Sequence, residues 1–442
     1  MSGSGTFAFT LHPRPGGGAH ELLQTRRPGV PHGGDRMTRI VLLGGGYVTL
    51  HAYSSLVRRL GREVRRGDVE IVVISADRAH RFHGFTGELL AGMIDRDRLA
   101  TPLEEAMPLA RIIIGRAVDI DTGLRRVSYV TGDDASLVTV GYDHLVVGTG
   151  AREPTAEVAG LGRHGFTLRG PDEIGILADR LAAEPGAPVV VAGGGVAGVE
   201  LAAAIADRGH PVTLVHSAAR VLCEWDDQPR LVARAEVELS RAGVTVLTAT
   251  RLVGVTSSTA LLSDGASLES HRVVATTGQR PVRIPGLDRW RDDRGRLRTQ
   301  RSLRVTSGVW AAGDAAQVWN PVTRHPVPAV ALWAIKGGDH IGRSIARELR
   351  GRRARRFRYR GLGRAASFGL GKGIAELNGI PLTGAFAWLL RLVFFLRFMP
   401  SRRRAAGVVS DLARFVLTPR AERPVSVGTR GRERTALAPR QV

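Results

Sequence analysis

The sequence predicts an α/β protein of two doubly wound units, one inserted in the other, followed by a helical C-terminal region. Three observations predict it. Two short β-branched runs each break into three glycines, IVLLGGGYVTL at 40–50 and VVVAGGGVAGVE at 189–200. Each reads as a buried parallel strand turning sharply into a helix. Strand and helix patterns alternate around both runs, the spacing of βαβ units. After the second unit closes, VWAAGDAAQV at 309–318 returns to the theme of the first, which makes the second unit the insert.

The glycines carry the chemistry of this pattern. In G-x-G-x-x-G the first allows the tight turn and the second lets the main chain approach a pyrophosphate. The third lets helix and strand pack closely, while the helix N-terminus turns its free N–H groups toward the anion. Gly193, Gly195 and Gly198 fill all three places in the second copy; the first has Gly44 and Gly46, with Thr49 in the third. One such loop is a weak signal, whereas two of them predict a pair of Rossmann-like dinucleotide-binding domains.

Taken in order, the elements are a strand at 39–43, the first glycine turn, a helix over 47–60 and a strand at 69–75 (VEIVVIS). YDHLVVGTGAREP (142–154) adds a buried strand that runs out through Gly148 and Gly150. The pattern then restarts with a helix at 172–183, a strand at 188–192, the second glycine turn, a helix at 196–208 and a strand at 211–216. A helix at 229–242 and a strand at 244–247 follow, and VVATTGQRP (273–281) closes the unit. VWAAGDAAQV is read as a strand entering Gly313 and Asp314 and then a helix. The domains are therefore 37–155 with 281–348, an insert at 156–280, and a C-terminal region at 349–420. Residues 1–36, rich in Gly, Pro and Arg and without an apolar core, read as a disordered extension or a mis-set start before Met37, and 421–442 as a disordered tail.

Composition narrows the function classes. A chain of 442 residues with 43% hydrophobic residues and 55 glycines buries sizeable cores with many tight turns. Its one cysteine, Cys223, excludes an internal disulfide, a C-x-x-C redox pair and a cysteine-ligated zinc or iron–sulfur site, and no metal site is expected. The net charge of +22 favours an anionic partner, a lipid surface ahead of nucleic acid.

This order of motifs resembles the flavoprotein family with two dinucleotide-binding domains, and within it the type II NADH:quinone oxidoreductases. The stretches that carry the resemblance are VLLGGGYVTL, HRFHGFTGELLAG (80–92), DRDRLATPLEEAM (95–107), YDHLVVGTGA, VVVAGGGVAGVELA, TTGQRP, VWAAGDAA and RYRGLGRAASFGLGKGIAELNGIPLTGAFAWLLRL (358–392). The resemblance implies FAD on the first domain, NADH or NADPH as substrate on the insert, and a membrane quinone as acceptor. It implies FAD-binding roles for Gly44, Gly46, Tyr47, Gly150, Gly313 and Asp314, and nicotinamide contacts for Glu200 and Gly278. It further implies a cytoplasmic protein, peripheral on the inner face of the cell membrane, with a homodimer as one arrangement open to it.

Four departures shape these expectations. Where an acid normally ends the second strand to hold the adenosine ribose, the first domain has Ser75, with Asp77 two residues on, so either FAD is held less tightly or Asp77 substitutes. The insert has His216 there, with Arg220 close behind to meet a 2′-phosphate, so NADPH is as admissible as NADH. At ALWAIKGG (331–338) the glutamines of the quinone reductases are replaced by Leu332 and Lys336, with Gly337 following. Lys336 either stabilises reduced flavin and alters acceptor choice, or carries its ammonium to solvent. The missing glutamines leave room for a small electron-transfer protein or dioxygen as acceptor, and the +22 charge leaves open a low-turnover flavin-holding protein that binds membrane or nucleic acid. Lastly, GAFAWLLRLVFFLRFMP (384–400) is apolar but holds Arg391 and Arg397 and falls short of the ~20 residues a span needs. It is expected to lie on a membrane, helped by GVVSDLARFVL (407–417) and the basic run GRRARRFRYR (351–360), or else to cover the sheet or a dimer interface.

Overall fold

A computed structural model of the chain describes residues 37–132, 136–168, 172–270 and 272–418. The expected extension at 1–36 and tail at 421–442 lie outside the described residues.

The first βαβ unit consists of β1 (Thr38–Leu43), α1 (Tyr47–Arg66) and β2 (Val69–Ser75). β1 buries Ile40, Val41, Leu42 and Leu43 on both faces, as a central parallel strand requires. Down α1, Val48, Ala52, Leu56 and Leu60 recur every fourth residue and are buried, while Arg58, Arg62 and Arg65 stay exposed. At the expected end, Leu60 leaves the helical region (φ −124°, ψ 17°) and kinks the helix, which then resumes and runs on to Gly67. There a φ of +86° turns the chain and the N–H groups of Gly67 and Asp68 return to the carbonyls of Val64 and Glu63.

β3 (Arg111–Ile114) and β4 (His144–Val147) add to the first sheet, and the chain then builds the insert. This comprises β5 (Gly165–Thr167), α2 (Glu173–Ala183), β6 (Val189–Ala192), α3 (Val196–Asp207), β7 (Val212–Val215), α4 (Pro229–Arg241), β8 (Thr245–Leu247) and β9 (Val273–Ala275). Its five strands lie parallel in the order β5-β9-β6-β7-β8, with Val191 opposite Leu214 on one side and Val274 on the other. β10 (Arg304–Thr306) and β11 (Val309–Ala311) rejoin the first sheet, whose order is β10-β11-β4-β1-β2-β3 with β10 alone antiparallel. In each sheet the order reverses beside the strand that enters a glycine loop, and such a switch point opens a crevice at the strand ends.

Two sequence expectations are corrected. After β11 the chain makes a single 3₁₀ turn, Gly313–Ala315, and no helix follows. Ala316, at φ −128° and ψ 147°, is extended, and Ala316 and Gln317 pair with Leu297 and Arg298. Ala315 and Ala316 therefore do not open a helix; the next one is α5 (Ala331–Glu348). Nor is the C-terminal region purely helical. β12 (Gly363–Ser367), β13 (Gly373–Leu377) and β14 (Ile380–Thr383) form an antiparallel meander before α6 (Gly384–Phe398) and α7 (Arg402–Leu417).

α5 lies tightly against α1. A Cβ at Gly338 would overlap the carbonyl of Val48, and one at Gly342 would meet the backbone of Ala52. Ser55 Oγ donates to the Asp339 carbonyl at 2.9 Å, and Arg58 pairs with Asp339 at 2.7 Å. Gly338→Ala is expected to lower unfolding free energy by about 2–3 kcal/mol through overpacking. Gly61→Ala, in an open helical position, should raise it by up to about 1 kcal/mol. Urea denaturation of the two variants checks both signs.

Candidate functional site

The first glycine loop is built by mutual exclusion. Gly44 has φ +94°, and a Cβ there would stand 2.7 Å from the Gly148 carbonyl oxygen. Gly148 in turn leaves room for Thr49, whose hydroxyl donates to the Leu43 carbonyl at 3.2 Å. Thr49 is thus accommodated in the third glycine place because its one polar atom is satisfied and the facing residue has no side chain. Gly46 is the N-cap of α1, with no side chain closing the helix end, and Tyr47 begins the helix.

Around this loop the structure brings together most of the residues expected for the first cofactor. Gly313, at φ +63°, packs against Val48 and Ala334, which sets the turn holding Asp314 beside α1 and the first turns of α5. Gly150 also has a positive φ, +66°. Asp77 lies just beyond β2, its N–H donating to Ser75 Oγ at 3.2 Å. His80 is buried, and burial keeps its imidazole neutral; its Nδ1 lies 2.8 Å from the Gly45 carbonyl and so carries the proton. That leaves His80 Nε2 as an acceptor, and among the described residues neither it nor the buried Thr149 hydroxyl has a hydrogen-bond partner. An uncapped helix end, side-chain-free turns and orphaned buried polar atoms fit a polar dinucleotide such as FAD.

The second loop follows the same logic with the full glycine set. Gly193 has φ +107°, and the Thr276 hydroxyl donates to the carbonyls of Ala192 and Gly193, 3.0 Å from each. A Cβ at Gly198 would overlap the Gly193 carbonyl, so the third place admits glycine alone. Gly195 is the N-cap of α3. His216 is used by the loop itself: Gly194 N–H donates to His216 Nδ1 at 3.0 Å, and burial lowers the pKa of the ring. Arg220 pairs with Asp226 at 2.6 Å in an exposed position. Gly278 takes φ +114° with open space around it. Sequence reading missed Glu224, whose Oε1 accepts from Val196 N–H at 3.1 Å and places a carboxylate at the α3 N-terminus. Only folding brings it there.

Glu200, on α3, lies in a buried charge cluster that the sequence did not reveal. Arg391 of α6 is 4% exposed; its Nη1 donates to Glu88 at 2.6 Å, its Nη2 to the Gly84 carbonyl at 2.8 Å, and its Nε lies 3.0 Å from Glu200. Ser367 N–H donates to the same Glu200 oxygen at 2.8 Å. Burial pushes the Glu200 carboxyl up to about 7, against the attraction of Arg391 and with the repulsion of Glu88 added. Arg391 remains a cation, since Glu200 and Glu88 outweigh the cost of its burial. In the sequence Arg391 looked like a polar break in an apolar run; here it is the pin of that helix.

α6 lies over the start of both glycine helices. Phe395 meets Phe82 at 6.0 Å between ring centres, Phe82 meets Tyr47 at 6.0 Å, and Phe398 meets His51 at 6.3 Å. Glu200 and Tyr47 are thereby gathered under one helix. Lys336 sits two residues beyond the Gly313 contact of α5 at Ala334, on the other side of the helix; its charge is among those that hold His51 down to about 4, behind burial and His80. Leu332 and Gly337 are buried beside it.

The model of the pyridine nucleotide-disulphide oxidoreductase family matches residues 38–338. The demethylphylloquinone reductase NdbB of Synechocystis is 27% identical over 385 residues, covering 82% of this chain and 93% of the relative. A type II NADH:quinone oxidoreductase of Staphylococcus epidermidis is 23% identical over 391 residues, covering 81% and 94%. Among solved structures, NDH2 from Plasmodium falciparum in complex with NADH superposes with a TM-score of 0.77 at 12% identity, covering 88% of this chain and all of the other. With the family match spanning both glycine loops and the Gly313 turn, this chain belongs to the pyridine nucleotide-disulphide oxidoreductase family.

Proposed function

We propose that the protein oxidises NADH or NADPH through bound FAD and passes the electrons to a quinone at a membrane surface. The observation that carries this reading is that α6 reaches toward both glycine helices, Arg391 to Glu200 of α3 and Phe395 through Phe82 to Tyr47 of α1. FAD supplies the hydride-accepting, electron-releasing chemistry; the chain supplies position and charge. The open end of α1, with Gly44, Gly46 and the turn at Gly313 and Asp314, would hold the flavin nucleotide, Asp77 taking the ribose side. Gly193, Gly195, Gly198 and Gly278, with His216 and Arg220, would hold the pyridine nucleotide. Glu200 would orient the nicotinamide, and α6 would exclude water from the junction. Lys336 lines the basic cleft between α5 and the chain that follows it, so its charge would act on the flavin only at longer range. The relatives named for quinone reduction, together with the single cysteine, which leaves no dithiol for disulphide exchange, support a quinone as acceptor.

The C-terminal helices support contact with lipid. On α6 the side chains of Phe386, Leu389 and Val393 are 64%, 49% and 57% exposed on the face away from Arg391, and α7 exposes Val409, Val416 and Leu417. No described helix is long and apolar enough to cross a membrane. An apolar stripe flanked by arginines suits a helix lying in the interface. The second reading, a non-quinone acceptor, draws on Lys336 standing where the quinone reductases have glutamine.

Anaerobic stopped-flow decides between these readings. Bleaching of the flavin by NADH or NADPH, followed by rapid recovery on adding a short-chain quinone, is the expected result. Bleaching without recovery would point to the other acceptors, and no bleaching to a binding protein. Glu200→Gln is expected to slow flavin reduction by about tenfold or more and to remove its inflection near neutral pH. Arg391→Met deprives the buried carboxylate of its cation, so the inflection moves to higher pH and stability falls by about 3 kcal/mol. Rate–pH profiles and urea melts measure both effects. Phe386→Ser with Val393→Ser should abolish flotation with anionic vesicles while NAD(P)H still bleaches the flavin.

A further inference from the structure

Away from the glycine loops, a cleft of about 640 Å³ is lined by nine cationic side chains and by no carboxylate. It is formed by three segments. Lys336, Arg343 and Arg347 lie along one stripe of α5, Arg59 comes from α1, and Arg355 and Arg358 from the chain after α5. That last segment is fixed in place. Phe357 is buried and its N–H donates to the Arg301 carbonyl at 2.7 Å, His340 Nε2 lies 3.1 Å from the Arg355 carbonyl, and Tyr359 packs on Trp333 at 4.7 Å. The arginines are thus displayed from a built surface.

Elsewhere in the molecule arginines are commonly paired, as Arg39 is with Glu70 and Arg296 with Asp292. In the cleft the carboxylates available among the described residues are Asp339, which Arg343 shares with Arg58, and Glu63, 3.7 Å from Arg350. Lys336, Arg355, Arg356 and Arg358 have no carboxylate partner among the described residues. Arg59 donates instead to the Ser55 carbonyl and hydroxyl. Its pKa lies below the ordinary value, through burial first and then, against the pull of Asp339, through the repulsion of Arg343, Arg58 and Arg350. The buried Tyr359 hydroxyl, also on the cleft, lacks a hydrogen-bond partner among the described residues.

Gathering like charges on fixed walls costs free energy, which an anion of several charges recovers. Guanidinium forks match phosphate oxygens two at a time, and several forks converging from three segments suit a group with many such oxygens. We propose that this cleft binds a multivalent phosphate group, presented either by a soluble oligophosphate or by the phosphomonoester headgroup of an anionic lipid. This goes beyond the hydride chemistry and does not rest on it.

The test uses the full-length, FAD-loaded protein and two probes. Inorganic tripolyphosphate is titrated calorimetrically, and flotation is measured with phosphatidylcholine vesicles containing phosphatidic acid. Saturable one-site binding of tripolyphosphate, weakened about tenfold or more by Arg343→Gln with Arg355→Gln, establishes the site. Arg356→Gln with Arg358→Gln should give a similar loss from one segment alone, and exposed Arg230→Gln on α4 should change little. If the vesicles show the same dependence on these arginines and tripolyphosphate does not bind, the site stands and its source is the lipid. Absence of saturable binding to both probes overturns the proposal, as does an equal loss in Arg230→Gln, which would mean diffuse attraction to a basic surface.

Discussion

A carbonyl oxygen pressed against a residue without a side chain is the constraint from which the rest of the structure follows. In the insert it is the Gly193 carbonyl against Gly198, and in the first domain the Gly148 carbonyl against Gly44. In the insert the contact brings α3 close over the end of β6; in the first domain it joins the ends of β1 and β4, and Gly148 then faces Thr49 and Val48 of α1, at the point where each sheet reverses its order. The α1 end left open there is an anion site by virtue of its free N–H groups, whereas at α3 the Glu224 carboxylate already accepts from Val196 N–H. The two versions differ in how the space is made. The insert removes every Cβ, whereas the first domain keeps Thr49 and satisfies its hydroxyl at the Leu43 carbonyl.

The second organising element is electrostatic. Arg391 carries its charge into the junction beneath α6 and is held there by Glu88, Glu200 and the Gly84 carbonyl. Desolvating three charges is expensive, so such a cluster is weak evidence for stability. Its effect is on placement. The carboxylate of the insert helix, a loop of the first domain and the C-terminal helix can be satisfied together in one arrangement only. Hydrophobic packing alone would let α6 slide along its seat; a buried guanidinium bonded to Glu88 and the Gly84 carbonyl and paired with Glu200 does not.

How far the site could be read in the sequence follows from the range of the forces involved. Glycine spacing is local, and Gly44, Gly46, Gly193, Gly195 and Gly198 stand where the strand–turn–helix pattern put them. The turn at Gly313 was found but its sequel was not, because Ala316 and Gln317 are held extended by pairing with Leu297 and Arg298. The meander at 363–383 was missed for a related reason: each strand is short, and its pairing partner, not its own pattern, decides it. Glu224 and the Glu88–Arg391 pair were invisible because residues far apart in the chain meet only after folding.

What the sequence determined by itself is the doubly wound class, the nesting of one domain in the other and the two glycine loops, since all three depend on period and on backbone conformations that glycine alone adopts freely. Tertiary structure decided which charges are paired and which are left facing one another. It turned Arg391 inward to Glu200 and set the arginines of α5 opposite those of the chain that follows. Those outcomes depend on distances between segments that no local pattern encodes, and on burial, which gives each charge its energy.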